Sequence, residues 1–125
     1  MDKPKIRQFT DLIAWCEGHK LVLSIYKITQ SFPAVEQYGL TNQIRRAAVS
    51  VTSNIAEGFS RNTYKDKKQF YAIALGSLTE IQNQLHIASD IKYIQKLDYD
   101  LLADQSIVVH KLINGLIKSC NLHIA

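Results

Sequence analysis

The chain has 125 residues and a formal net charge of +4. That length fits one domain, here taken as residues 1–125, and it can bury about two-thirds of its unfolded surface without a disulfide or metal. Only five glycines and two prolines interrupt it, which argues for long helices over a many-turned β fold.

The opening residues, Met1 to Arg7, are basic but lead into no apolar signal core, and no window nears the roughly 18 uninterrupted apolar residues of a spanning helix. The expectation is a cytoplasmic protein that does not enter a membrane. Cys16 and Cys120 lack a CxxC spacing and stand near opposite ends of the chain. In such a compartment they read as reduced packing residues.

Thr10 is placed to cap a first helix that runs to about Gln30. Leu12, Trp15, Val22, Tyr26 and Thr29 form its apolar stripe, widened by Leu21, Ile25 and Ile28. That width suits a bundle helix rather than a coiled-coil seam. Ser31-Phe32-Pro33 ends it, because proline disfavours helix in the residue before it.

A second helix is expected from about Thr41, with Gly58 at its C′ position. It carries two stripes. Ile44, Ala48, Val51 and Ile55 are apolar; Gln43, Arg46, Ser50, Ser53 and Glu57 are polar. Each steps by three or four residues and so runs down its own face. The polar stripe is small and neutral in its middle, which suits a surface that meets another helix or another subunit.

Asn62 or Thr63 caps a third helix, with Thr63-x-x-Asp66 resembling a capping box. Phe70, Ala74, Leu78, Ile81, Leu85 and Ala88 form its core stripe, and it ends near Asp90. Asp98 is the expected cap of a fourth helix, acidic near its start and basic toward its end, the polarity that the helix dipole favours. Its buried side is read as Leu101, Leu102, Val108, Val109, Leu112, Ile113, Leu116 and Ile117. Four such helices with short connections predict an all-α fold, an antiparallel up-down four-helix bundle. A turn near Ser60 and Arg61 would bring Ala47 toward Ala74 and Val51 toward Phe70.

The charge is uneven. Between Leu40 and Phe70 stand six bases, Arg45, Arg46, Arg61, Lys65, Lys67 and Lys68, against two acids, Glu57 and Asp66, while the rest of the chain sums to zero. Such clustering attracts phosphate backbones or acidic proteins. Arginine's planar fork suits phosphate, and Tyr64 and Tyr71 among the lysines are candidates to stack on bases. The alternatives are a solvated lysine-bearing loop and ion pairs, with Glu80 or a subunit-interface carboxylate for Arg46 and with Arg61 for Glu57.

Catalytic signals are absent. No GxxxxGK[ST], GxGxxG or GxSxG occurs. No histidine follows a carboxylate at the i, i+3 spacing of two-metal bundle enzymes. Cys16-x-x-His19 and Cys120-x-x-His123 would share one end of an up-down bundle, but structural zinc sites take cysteines from loops or knuckles. The expectation is a non-enzymatic protein with no metal and no cofactor.

The segment Tyr38–Gly58, with Gln43-Ile-Arg-Arg-Ala-Ala-Val-Ser50 and Ser53-Asn-Ile-Ala-Glu-Gly58, then Arg61, Phe70, Ile73–Leu78 and Glu80, resembles the four-helix bundle family of 23S rRNA intervening-sequence proteins. Leu12, Trp15, Tyr26 and Phe32-Pro33 fit the same pattern. The resemblance implies a left-handed antiparallel bundle that assembles into a ring-like homopentamer. It also implies similarity to accessory proteins of diversity-generating retroelements, which bind nucleic acid and a reverse transcriptase. Two positions depart from the pattern: Thr52 stands where proline is frequent, and Leu75 where a base is. The expected partners are therefore further copies of the chain and either RNA or DNA, with a protein partner as the alternative. In that alternative, Gln43, Arg46, Ser50, Ser53 and Glu57 form an intersubunit seam.

Overall fold

The computed structural model describes residues 5–124. Four helices follow one another: α1 (Ile13–Thr29), α2 (Leu40–Ser60), α3 (Tyr64–Asp90) and α4 (Lys96–His123). Single 3-10 turns precede α1 and α2, at Phe9–Asp11 and Ala34–Glu36. Contacts run α1 to α2, α2 to α3, α3 to α4 and α4 back to α1.

The neighbours are antiparallel. Gly18 of α1 lies against Thr52 and Ile55 of α2, while Thr29, at the other end of α1, meets Arg45. Ser50 meets Ser77 across α2 and α3, and Gln82 meets Ser106 across α3 and α4. One end of the bundle therefore holds the start of α1, the α2–α3 turn and the end of α4. We call it the turn end; the opposite end is the far end.

The core is a continuous aliphatic column. Leu21, Ile25, Ile44, Val51, Ile55, Leu78, Ile81, Leu85, Val109 and Ile113 are almost fully buried. The stripes expected for α2 and α3 largely hold, except that Phe70 is only half-buried and Tyr71 takes the core place beside it. Those of α1 and α4 turn further than expected. Ala14, Gly18, Leu21, Ile25 and Thr29 face inward on α1, and Tyr26 is exposed. On α4, Leu102, Ser106, Val109, Ile113 and Cys120 are buried, whereas Leu101 and Val108 are not. In both helices small or polar residues (Ala14, Gly18, Ser106) occupy core positions that an apolar-only reading passes over.

Several boundaries correct the sequence reading. Thr10 lies inside the first 3-10 turn, and Leu12 is the N-cap of α1. Gln95, not Asp98, precedes α4, leaving Asp98 in the first turn, where a negative charge still meets the positive end of the dipole. Thr63 does cap α3: its Oγ1 accepts from the Asp66 backbone N–H at 3.1 Å. Gly58 is not a C′ residue with positive φ but an interior residue of α2, which continues to Ser60. Its role is steric. A Cβ there would lie 2.6 Å from Cε1 of Tyr71.

The later turn moves the helix hairpin. The Ser50–Ser77 contact puts Ala47 level with Glu80, with which it lines a groove, and Val51 level with Gly76, in place of the expected Ala74 and Phe70. Among the described residues, no helix is long and apolar enough to cross a membrane.

Candidate nucleic-acid interface and polar groove

The six candidate bases divide into three groups. Arg45 is committed to α1. Its Nε donates to Thr29 Oγ1 at 2.8 Å, a second nitrogen donates to the Tyr26 carbonyl at 3.4 Å, and the guanidinium lies 4.7 Å from the Tyr26 ring centroid. A cation held over an aromatic face and bonded to a helix C-terminus stabilises the packing of α1 on α2.

Lys67 is likewise committed. Its Nζ donates to the carbonyls of Phe59 and Gly58 and lies over the Phe59 ring. Both carbonyls lie in the last turn of α2, where i+4 donors are missing; that of Gly58 also accepts from the Arg61 N–H at 3.2 Å, and Lys67 closes the turn from the start of α3. Arg61 is divided between two tasks. It pairs with Glu57 at 2.8 Å and its guanidinium sits 4.5 Å from the Phe70 ring centroid. Glu57, unfavourably placed at a helix C-terminus, thus has the Arg61 partner expected from the sequence.

Lys65 and Lys68 make no ion pair among the described residues. Both stand in the first turns of α3, beside Arg61. Arg7 joins this end through the chain's N-terminal segment: its backbone N–H donates to Asp11, and the following turn packs Phe9 edge-on against Trp15 in the first turn of α1. Sequence reasoning missed Arg7, because only the return of α2 brings the turn end beside it. Backbone N–H groups of Arg7 and Gln8 hold the Asp11 carboxyl below its usual pKa, so that acid stays ionised and locally engaged.

Tyr64 and Tyr71 do not both remain available to a base. Tyr64 is exposed but stacks on His123 of α4, with ring centroids 4.3 Å apart. Tyr71 is buried, with 4% of its surface exposed, and desolvation pushes its pKa up to about 12.

Cys120 is buried at the same end. Burial raises its thiol pKa, partly offset by Lys67 and Lys68, so it behaves as a packing residue. Cys16 is also unbonded to a second cysteine and donates to the Thr10 carbonyl. Neither Cys-x-x-His pair closes a site: His19 stacks on Trp15 and His123 on Tyr64. Among the described residues, no three of His, Cys, Asp and Glu are grouped to hold a metal ion.

Arg46 belongs elsewhere. It lies fifteen residues before Arg61, about 22 Å along a helix at 1.5 Å per residue. With Asn42, Gln43, Ala47 and Ser50 of α2 and Glu80 and Gln84 of α3 it lines an open groove of about 410 Å³. The polar stripe is the α2 wall of this groove, continued toward the turn by Ser53 and Glu57. Ser50 is only half-exposed; its hydroxyl lies 2.8 Å from that of Ser77 and accepts from Asn54 Nδ2 at 3.0 Å. The small middle of the stripe therefore first serves the contact of α2 with α3 in its own chain. Gln43, Arg46 and Ser53 remain exposed. Arg46 and Glu80 share the groove without forming an ion pair. Gln84 is 8% exposed, and its Oε1 has no hydrogen-bond partner, a costly state for a buried acceptor.

A family model described as 23S rRNA-intervening sequence protein matches residues 10–115. The chain belongs to the 23S rRNA-intervening sequence protein family. The match spans all of α1 to α3 and most of α4, so the family's pattern is the bundle itself. A solved structure agrees in fold. It is a crystal structure of a protein with unknown function from the S23 ribosomal protein family of Bacteroides thetaiotaomicron, with a TM-score of 0.78 and 20% identity. The alignment covers 85% of this chain and 96% of that one. No curated protein matches the chain.

Proposed function

We propose that this member of the family is a non-enzymatic, self-associating cytoplasmic protein that binds the phosphate backbone of RNA or DNA with the turn end of its bundle. The observation that carries this reading is the excess of positive charge at one end of the bundle. Arg7, Arg61, Lys65, Lys67, Lys68 and Lys118 outnumber Asp11, Glu17, Glu57 and Asp66 at the turn end, whereas at the far end Lys27, Lys92 and Lys96 are offset by Glu36, Asp90, Asp98 and Asp100. A long body with a basic end orients toward a polyanion and touches it there first. Lys65 and Lys68, unpaired among the described residues and beside Arg61, are ammonium groups free to contact phosphate; Arg61 adds a guanidinium already held by Phe70. No base-reading array accompanies them, so the binding is backbone-directed, with weak sequence preference.

The test is a salt titration of binding to a structured RNA hairpin and to a DNA duplex of equal length. Each phosphate contact contributes about 0.7 to 0.9 to the slope of log affinity against log salt. The double variant Lys65→Ala/Lys68→Ala is expected to flatten that slope by between one and two. No binding at low salt, or an unchanged slope, would overturn the reading.

A second reading, an adaptor for another protein, draws on a different observation. Leu23 of α1 and Leu97, Leu101 and Val108 of α4 are exposed by 56, 69, 58 and 46%. They flank a cleft of about 390 Å³ lined by Ser24, Lys27, Ile28, Asp98, Leu101, Leu102 and Gln105. Binding to a protein partner that is lost in Leu97→Asp/Leu101→Asp, together with no salt-dependent nucleic-acid binding, would favour it.

A further inference from the structure

We propose that the exposed Tyr64–His123 ring pair is a stacking platform for an unpaired base, so that the nucleic acid taken by the turn end is single-stranded. This rests on the phosphate-binding reading above and names its substrate class.

Tyr64 is the first residue of α3 and His123 the last of α4, so two helix ends deliver the rings to one edge of the bundle. The centroids are 4.3 Å apart and the planes 16° from parallel. The imidazole is also held by its own helix. Its Nδ1 lies 2.8 Å from the Ser119 carbonyl, and because a carbonyl only accepts, Nδ1 carries the hydrogen and donates it. Each ring spends one face on the other. Both residues are nevertheless exposed, Tyr64 by 42%, so the outer side of the pair meets water.

The other stacked pair, Trp15 on His19, makes the contrast. Both of its residues are half-buried, and Phe9 closes edge-on over Trp15. Beneath Tyr64 the core is already filled by Tyr71 and Cys120, both buried. The Tyr64–His123 pair thus adds an aromatic surface outside the core.

The charges stand where a nucleotide needs them. Lys65 follows Tyr64 in the chain, and Lys68 lies one turn on, on the same face and about 6 Å along the axis. Neither makes an ion pair among the described residues. Asp66 is two residues from Tyr64, about 200° round the helix and so on the opposite side, and Glu57 is paired with Arg61. A base laid on the ring therefore brings its flanking phosphates toward two unpaired ammonium groups. Every base has a π face, so the sequence preference stays weak. A duplex interior cannot use the platform, because its bases are stacked on both faces and must be lifted out at a cost in pairing and stacking.

The test uses the full chain and short single strands of RNA and of DNA carrying 2-aminopurine, the same strands with abasic positions, and a DNA duplex of equal length. Binding of a single strand is expected to quench 2-aminopurine with the wild type and with Tyr64→Phe, but not with Tyr64→Ala. Tyr64→Ala is expected to lose about 5- to 150-fold in single-strand affinity, the range of one base–aromatic stack. Its duplex affinity and salt slope should match the wild type. Abasic strands should bind the wild type as weakly as intact strands bind Tyr64→Ala, a comparison that needs no variant to fold. Circular dichroism melts check the fold of each variant. Loss on both RNA and DNA, or on one alone, supports the platform and in the second case assigns it to that sugar.

Abasic strands that bind as tightly as intact ones, 2-aminopurine that stays bright on the wild type, or an equal loss on strand and duplex would each overturn the platform. If that happens while the salt slope carried by Lys65 and Lys68 persists, phosphate binding stands alone. No salt-dependent binding of any strand would overturn both.

Discussion

Gly58 and Tyr71 show how closely α2 and α3 approach beside the turn. The missing Cβ of Gly58 would lie 2.6 and 2.9 Å from two ring carbons of Tyr71, and 3.2 Å from the Lys67 carbonyl. The backbone atom cannot yield as a side-chain end can. Gly58→Ala should therefore destabilise the fold by about 1–3 kcal/mol, as overpacking does, despite alanine's better helix propensity. A urea midpoint equal to or above that of the wild type would show that the ring moves freely. Tyr71 also sets an alkaline limit. Its folded pKa of about 12 exceeds the ordinary phenol value of about 10, so folding favours the neutral phenol. That contribution is complete below pH 10 and disappears as pH rises toward 12. Denaturation midpoints followed from pH 8 to 12 should fall across this window, and Tyr71→Phe should flatten the fall. The sequence marked Gly58 as a helix end because glycine most often stops helices there; the ring that needs the space is thirteen residues away.

Helix connections were legible where a side chain acts locally and obscure where it acts across the fold. Thr63 was readable as a cap because its partner, the Asp66 N–H, is three residues on. Thr63→Ala should cost about 1 kcal/mol, within the usual 0.5–2 range for lost caps, seen as a lower melting temperature. Lys67 could not be read the same way. In sequence it is one of three lysines in a basic run, and only the α2–α3 hairpin shows it bonded to the Phe59 and Gly58 carbonyls. Lys67→Met keeps most of the aliphatic length and removes the donor. It should destabilise the protein by about 1 kcal/mol, the net worth of a typical hydrogen bond, whereas Lys68→Met should be nearly neutral. Equal effects at the two positions would contradict the division of labour between them. Arg45 is the same lesson on α1: counting charge cannot distinguish a guanidinium over Tyr26 from one facing water.

At the scale of the whole molecule, helical periodicity and scarce punctuation were enough to specify four helices and their order, because packing of apolar faces decides both. The site was less legible. The basic segment that looks continuous from Arg45 to Lys68 is split by the length of α2, which carries Arg46 well away from the turn, while Arg7 arrives from a distant part of the chain. The resulting long-axis asymmetry can be mapped without removing any residue. Lysine-directed acetylation followed by peptide mass spectrometry should find Lys65 and Lys68 reactive in the free protein and protected when RNA is bound at low salt. Lys67 should react slowly in both states, since Nζ is held by carbonyls. Lys92 and Lys27, at the far end, should remain reactive throughout, because screening confines phosphate attraction to about 10 Å at 0.1 M salt. Protection of Lys92 and Lys27 to the same degree as Lys65 and Lys68 would mean that the nucleic acid does not select the turn end, and the asymmetry of charge would then have no counterpart in binding.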